Sequence, residues 1–151
     1  MDAVTYPDER VIKFIQDNFI PVRLAYESQP LASEFNIKWT PTLITVDARG
    51  KEHFRTVGFL APEDLIASLL MGIGKTYFEE EQFEKAIAVF ESLLNSYAKS
   101  SYAPEAIYLR GVSQYKSTHS AGPLKAAYEK LSAEYPNDEW TKRAYPYRLL
   151  Q

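Results

Sequence analysis

The sequence predicts an α+β N-terminal part followed by an all-α array of helical hairpins, divided as residues 1–62 and 63–151. Three observations carry this prediction. Up to about residue 62, strand-like alternation of apolar residues is mixed with helix; beyond it the spacing is helical alone. Tyrosine marks the same break: Tyr6 and Tyr26 precede it and the other nine follow. The second part also repeats itself. Gly74 and Gly111 are 37 residues apart and Phe90 and Tyr128 are 38 apart, a period that marks stacked helical hairpins.

In the first part, Asp8 suits the N-cap of a helix carrying Val11, Ile12, Phe14, Ile15 and Phe19, because its carboxylate can accept from the first turn's orphan N–H groups. Pro21 stops that helix. Val22, Leu24 and Tyr26 then alternate with Arg23 and Ala25, which predicts a strand. Leu31–Phe35 reads as a short helix, Thr42–Val46 as a strand, Asp47–Gly50 as a hairpin turn and His53–Val57 as the return strand. Gly58 suits a bulge or a close backbone approach.

In the second part, Pro62 can occupy the first turn of a helix running to about Phe78. Phe83, Ala86, Ile87, Phe90, Leu93, Leu94 and Tyr97 fall on one face of the next. Pro104 opens a helix to about Lys116. Leu124, Ala127, Tyr128, Leu131 and Tyr135 repeat the rhythm after Pro123, and Asn137–Asp138 cap a last short helix with Trp140, Ala144 and Tyr145.

A chain of 151 residues that is 46% apolar can bury a core without disulfides or metal. It contains no cysteine, which excludes a disulfide framework and any dithiol chemistry by its own side chains. No apolar run approaches the ~18 residues of a membrane span, and a basic-then-apolar leader is missing, so a cytoplasmic protein without membrane contact is expected. The net charge of −3 divides as −1 over residues 1–60 and −2 over 61–151, with no basic stripe for nucleic acid. The two histidines, His53 and His119, lie far apart, so neither a metal nor a cofactor is expected.

Several segments mimic catalytic motifs. Gly72-Ile-Gly-Lys-Thr76 looks like the tail of a phosphate-binding loop, but Leu69 stands where the motif needs glycine and the context is helical. A helix-packing glycine is the simpler reading of Gly74. Glu79-Glu-Glu81 reads as a solvated turn that favours the next helix N-terminus. His53 and His119 are expected to be exposed and uninvolved. Gly111-Val-Ser113 lacks the nucleophile elbow, since Tyr115 takes the second glycine's place.

Ile73-Gly-Lys-Thr-Tyr77, with Ala86 and Phe90 downstream, resembles the tetratricopeptide repeat over residues 65–140. The second copy keeps Gly111, Tyr128 and Pro136, but has Leu124 where the family prefers alanine, and one inserted residue. The resemblance implies two hairpins, a capping helix and a short peptide-binding groove. Its inner face would carry Met71, Lys75 and Phe78 from one hairpin and Glu105, Tyr108, Val112 and Tyr115 from the next. Aromatics on such a face suit peptide recognition; the alternative is that Tyr108 and Tyr115 pack against the last helix.

Thr5-Tyr-Pro-Asp-Glu-Arg-Val11, Phe19-Ile-Pro-Val22, Trp39-Thr-Pro-Thr42 and Asp47-x-x-Gly50 resemble the C-terminal two-thirds of a thioredoxin-like domain, without its Cys-x-x-Cys segment and two early strands. The resemblance implies a partial sheet with flanking helices and a cis peptide at Pro41. It also implies a docking edge for extended peptides at Trp39, Thr40 and Pro41. Strand 21–26 would lose both of its neighbours and strand 42–46 one of its own. Either the two pair within the chain or a second copy supplies the missing neighbour, and the second outcome predicts a homo-oligomer, most simply a dimer. Together these readings predict a non-enzymatic protein-interaction module with a redox-inactive thioredoxin-like remnant and a protein or peptide partner. The competing expectation is the C-terminal fragment of a thiol–disulfide oxidoreductase whose Cys-x-x-Cys lies upstream of Met1.

Overall fold

The structure is a computed structural model and describes residues 1–150. Asp8 caps α1 (Glu9–Asn18), its side chain accepting from the backbone N–H of Arg10. A short α2 (Leu31–Glu34) follows, then β1 (Thr42–Val46) and β2 (Glu52–Val57). Gly50 N–H donates to Asp47 O at 3.0 Å and closes the hairpin turn. Five helices follow among the described residues: α3 (Pro62–Glu79), α4 (Phe83–Ser96), α5 (Ala103–Thr118), α6 (Gly122–Glu134) and α7 (Glu139–Ala144). A 3-10 turn, Tyr145–Leu149, follows α7. A small α+β part followed by an all-α array is the fold class the molecule shows.

One expected element is missing. Residues 21–26 form no strand, and the sheet is two-stranded, β1 antiparallel to β2. A strand needs a neighbour's N–H and C=O groups, and among the described residues no backbone N–H from Ile20 to Glu27 donates to another backbone group. Alternating apolar residues there produce an extended, exposed run instead.

Helix α3 joins the two parts. One face packs on β1, where a Cβ on Gly72 would lie 2.4 Å from Thr45 Oγ1. Another face packs on α4, where a Cβ on Gly74 would lie 2.4 Å from Phe90 Cε1. These glycines are thus close-approach positions, and the nucleotide-loop mimicry ends there. A single core runs through both parts, from Val11 of α1 through Leu65, Leu70 and Met71 of α3 and Phe90 and Leu93 of α4 to Leu109 of α5. The expected division between residues 62 and 63 therefore falls at the first turn of α3, with no break in the core. Thr5, itself fully buried, adds a further tie by donating from Oγ1 to Leu60 O at 2.6 Å.

The second hairpin copies the first with one change of register. A Cβ on Gly111 would lie 2.7 Å from Cβ of Ala127, so Ala127, not Tyr128, stands in for Phe90. With alanine there the hairpin closes around a small residue, and Tyr128 turns aside onto Tyr145, the ring centroids 6.1 Å apart. A smaller core of Ile107, Ala127, Leu131 and Ala144 lies under α7.

Candidate functional site

The hairpin tip meets the end of α3 in a polar latch. The register shift between Thr45 and Val46 leaves His53 as the extra residue of β2. Its side chain is fully buried, correcting the expectation of an exposed histidine. Nε2 lies 3.2 Å from Asp47 Oδ2 and Nδ1 lies 2.9 Å from Glu79 Oε2, so each ring nitrogen faces a carboxylate oxygen. Lys51 Nζ donates to the same Glu79 oxygen at 2.9 Å, and Arg49 lies 3.9 Å from Glu80. Glu79 is therefore tied into the fold rather than freely solvated. Burial pushes the Asp47 carboxyl up, but the backbone N–H of Lys51, the His53 ring and Arg49 outweigh it and hold the group well below the usual carboxylate range. Burial likewise pushes the Glu79 carboxyl up, but the hydrogen bonds from Lys51 and His53 outweigh it, and the group is also lowered. Asp47, His53 and Glu80 offer ligand atoms within 4.8 Å of one another. Both His53 nitrogens already face carboxylates, so the cluster works as an ion-pair latch.

The expected groove residues are largely engaged by the chain itself. Met71 is completely buried, a correction: its side chain belongs to the core that joins sheet and helices. Lys75 Nζ donates to Glu105 Oε1 at 2.9 Å and lies 5.1 Å above the centre of the Phe54 ring. Phe54 in turn packs edge-on against Tyr102 at 5.9 Å, so β2 covers this end of the helical face. Phe78 is half-buried, edge-on to Phe83 at 5.9 Å. Tyr108 packs 5.1 Å from Trp140 and 5.8 Å from Tyr147, with the two tyrosine hydroxyls 3.0 Å apart. It therefore lies under the last helices rather than in an open groove. Burial and then the Tyr108 hydrogen bond push the Tyr147 hydroxyl well up. Val112 is half-buried, and Tyr115 is 37% exposed. For Tyr108 the alternative reading, packing against the last helix, is the one realised; sequence spacing gives no sign of the cover that Phe54 supplies from β2.

The edge beginning at Trp39 is open. Thr40–Pro41 is a cis peptide, as the thioredoxin-like resemblance implies, and Gln29–Pro30 is cis as well. Trp39 is 73% exposed, and its carbonyl accepts from Thr42 Oγ1 at 2.6 Å. Pro41 O accepts from Gly58 N–H at 2.9 Å, and Asp47 N–H donates to Lys51 O at 3.0 Å. Odd-numbered residues of this stretch thus face β2. By the alternation of an antiparallel ladder, the N–H and C=O groups of Thr42, Ile44 and Val46 point the other way. Among the described elements β1 touches only β2 and α3, so that side of it is a free edge.

Residues 1–72 match the family model of a thioredoxin-like domain, and residues 68–100 match that of a tetratricopeptide repeat. The chain thus carries a thioredoxin-like domain followed by a tetratricopeptide repeat, and both matches include part of α3. No curated protein and no solved structure matches it. The α5–α6 hairpin lies outside the second match and repeats its glycine contact. Among the described residues no helix is long and apolar enough to cross a membrane.

Proposed function

We propose that the chain is a non-enzymatic protein–protein interaction module whose thioredoxin-like part holds an extended polypeptide along β1, starting at Trp39, Thr40 and Pro41. The observation that carries this reading is the free β1 edge with an exposed tryptophan at its mouth. An extended chain laid there gains main-chain hydrogen bonds from Thr42, Ile44 and Val46 and stacks a side chain on Trp39. With no cysteine in the chain, no thiolate is available for disulfide exchange, so docking is binding alone. Val112 and Tyr115 form the accessible end of the helical groove and offer a second, smaller contact for the same partner. A homodimer is part of the same reading, since the first part leaves strand-forming sequence without a sheet.

Two measurements test this function. Trp39 is one of two tryptophans, so in a Trp140→Phe variant it reports alone. Titration with a permanently unfolded, carboxymethylated protein is expected to shift its emission to the blue, and Trp39→Ala is expected to weaken binding at least tenfold by anisotropy of the labelled ligand. Equal binding by Trp39→Ala removes the edge as the site. Insulin reduction by dithiothreitol is expected to run at the same rate with and without the chain; a clear acceleration overturns the non-enzymatic reading.

A further inference from the structure

We propose that the polypeptide held by the β1 edge is residues 20–26 of a second copy of this chain, exchanged reciprocally across a twofold axis. The inference rests on the edge-docking reading and names its occupant.

Every residue from Ile20 to Glu27 is exposed. Ile20 is 94% exposed and Val22 75%, and Leu24 and Tyr26 continue the series at every second position. Period-two apolar residues are the pattern of a strand that buries one face, yet this stretch lies on no sheet and donates no backbone hydrogen bond. Its described ionic tether is Arg23 to Asp2, at 3.1 Å. The molecule therefore carries a strand without a sheet and, in β1, a sheet edge without a strand.

These two halves of one missing ladder are not joined within the chain. A second copy joins both at once: segment 20–26 of each protomer lies along β1 of the other. The twofold makes the exchange self-limiting, since each copy offers one segment and one edge.

Charge favours the same pairing. Proteins usually guard free edges with charged residues, proline or bulges. β1 reads Thr-Leu-Ile-Thr-Val, with no charge and no proline, while β2 carries Glu52 and Arg55. Segment 20–26 brings one charge, Arg23, so nothing on β1 repels it. The distribution of apolar surface points to the same end of the molecule. Among the described residues, 11 of the 14 exposed large apolar side chains precede residue 62, so most of the uncovered apolar surface belongs to the part of the chain that carries this edge rather than to the helical array.

The test is light scattering after size exclusion over 1–100 µM, with exchange mapped by cross-linking. Wild type is expected to run as a dimer that dissociates on dilution. Val22→Lys/Leu24→Lys changes two exposed side chains, so its far-UV melt is expected to match wild type while its dimer dissociation constant rises at least tenfold. The chain has no native cysteine, so a mixture of copies carrying Val22→Cys and copies carrying Ile44→Cys is expected to form an interchain disulfide between unlike copies under mild oxidation. A wild-type mass of one chain at every concentration overturns the proposal, as does an intrachain disulfide in a monomeric double variant. A dimer insensitive to the lysine pair also overturns it. Binding of the unfolded protein at Trp39 by a strictly monomeric chain would leave the docking function standing while removing this occupant.

Discussion

His53 Nδ1 lies 2.9 Å from a carboxylate oxygen of Glu79, tying the β-hairpin to the last residue of α3 across 26 positions of sequence. The other ring nitrogen faces Asp47 at 3.2 Å, so one buried side chain links the turn of the sheet to the first helical hairpin. Removing the ring leaves two carboxylates near each other with Lys51 and Arg49 as their remaining cations.

The latch makes stability depend on acid. The carboxyls of Asp47 and Glu79 are both depressed in the folded chain relative to ordinary values of about 3.9 and 4.3 in unfolded chains. In that window the unfolded state binds more protons than the folded one, so stability rises with pH there. The contribution is fully present above the unfolded values and is lost as pH falls through the folded ones. Urea melts between pH 7 and pH 2.5 are expected to show a midpoint that falls steadily below about pH 5. Asp47→Asn is expected to lower the midpoint at pH 7 and to flatten the decline. The Glu79–Lys51 pair is partly exposed, so its share is expected to shrink in 1 M salt, whereas the His53–Asp47 pair, 0% and 5% exposed, is screened much less. A midpoint independent of pH across this range would mean that the latch contributes nothing to folding.

Gly74 against Phe90 predicts a different kind of loss. A methyl group on Gly74 would lie 2.4 Å from Cε1 of a fully buried ring, and that ring cannot move without disturbing the core shared with α5. Overpacking of this sort costs about 1–3 kcal/mol. For a chain of this size Gly74→Ala is then expected to lower Tm by roughly 2–12 °C. Gly122→Ala is the control, since its new Cβ would come no nearer than 3.8 Å to Ser120 Oγ, and its melt is expected to be unchanged within error. Equal melts for the two variants would remove the close helix approach at Gly74.

Much of this architecture could be read from local pattern. Asp8 and Asp138 cap the helices expected of them, and Pro62, Pro104 and Pro123 sit in first turns. Gly58 is needed for its backbone rather than for the bulge or close approach expected of it: it has φ +100° at the end of β2, and a Cβ there would meet nothing within 4 Å. Each of these signals lies within a few residues of the feature it sets. Failures came where the outcome depends on distant partners. Residues 22–26 have the alternation of a strand, but alternation does not supply a neighbouring edge. His53 looked like a surface residue because its partner Glu79 lies 26 positions away and a bulge turns it inward. Met71 shares a face with Lys75 by spacing, and the sheet packed on α3 decides that it is core. The free edge of β1 is legible as a strand losing a neighbour, and the packing of Tyr108 against the last helix is the alternative that the sequence leaves open; the cover that Phe54 gives from β2 is not legible.

Tyr108 and Tyr115 were drawn on one inner face of the repeat, and their surroundings now separate them. Tyr108 touches Trp140 and Tyr147 and shares a hydroxyl contact with the latter, while Tyr115 is 37% exposed near the end of α5. Truncating the first removes an aromatic from a packed cluster and leaves the Tyr147 hydroxyl without its partner, so Tyr108→Ala is expected to cost about 3 kcal/mol. Tyr108→Phe keeps the ring and loses the hydrogen bond alone, for about 1 kcal/mol. Tyr115→Ala removes a half-open side chain and is expected to change stability by no more than about 0.5 kcal/mol. If Tyr115 belongs to the accessible end of the groove, its loss weakens binding of the unfolded protein while the melt stays in place. Denaturant melts of the three variants, followed by far-UV dichroism, decide the matter. A large loss at Tyr115 would make it a core residue and close the groove entirely, and a negligible loss at Tyr108 would mean that α7 and the terminal turn do not hold it in the folded chain.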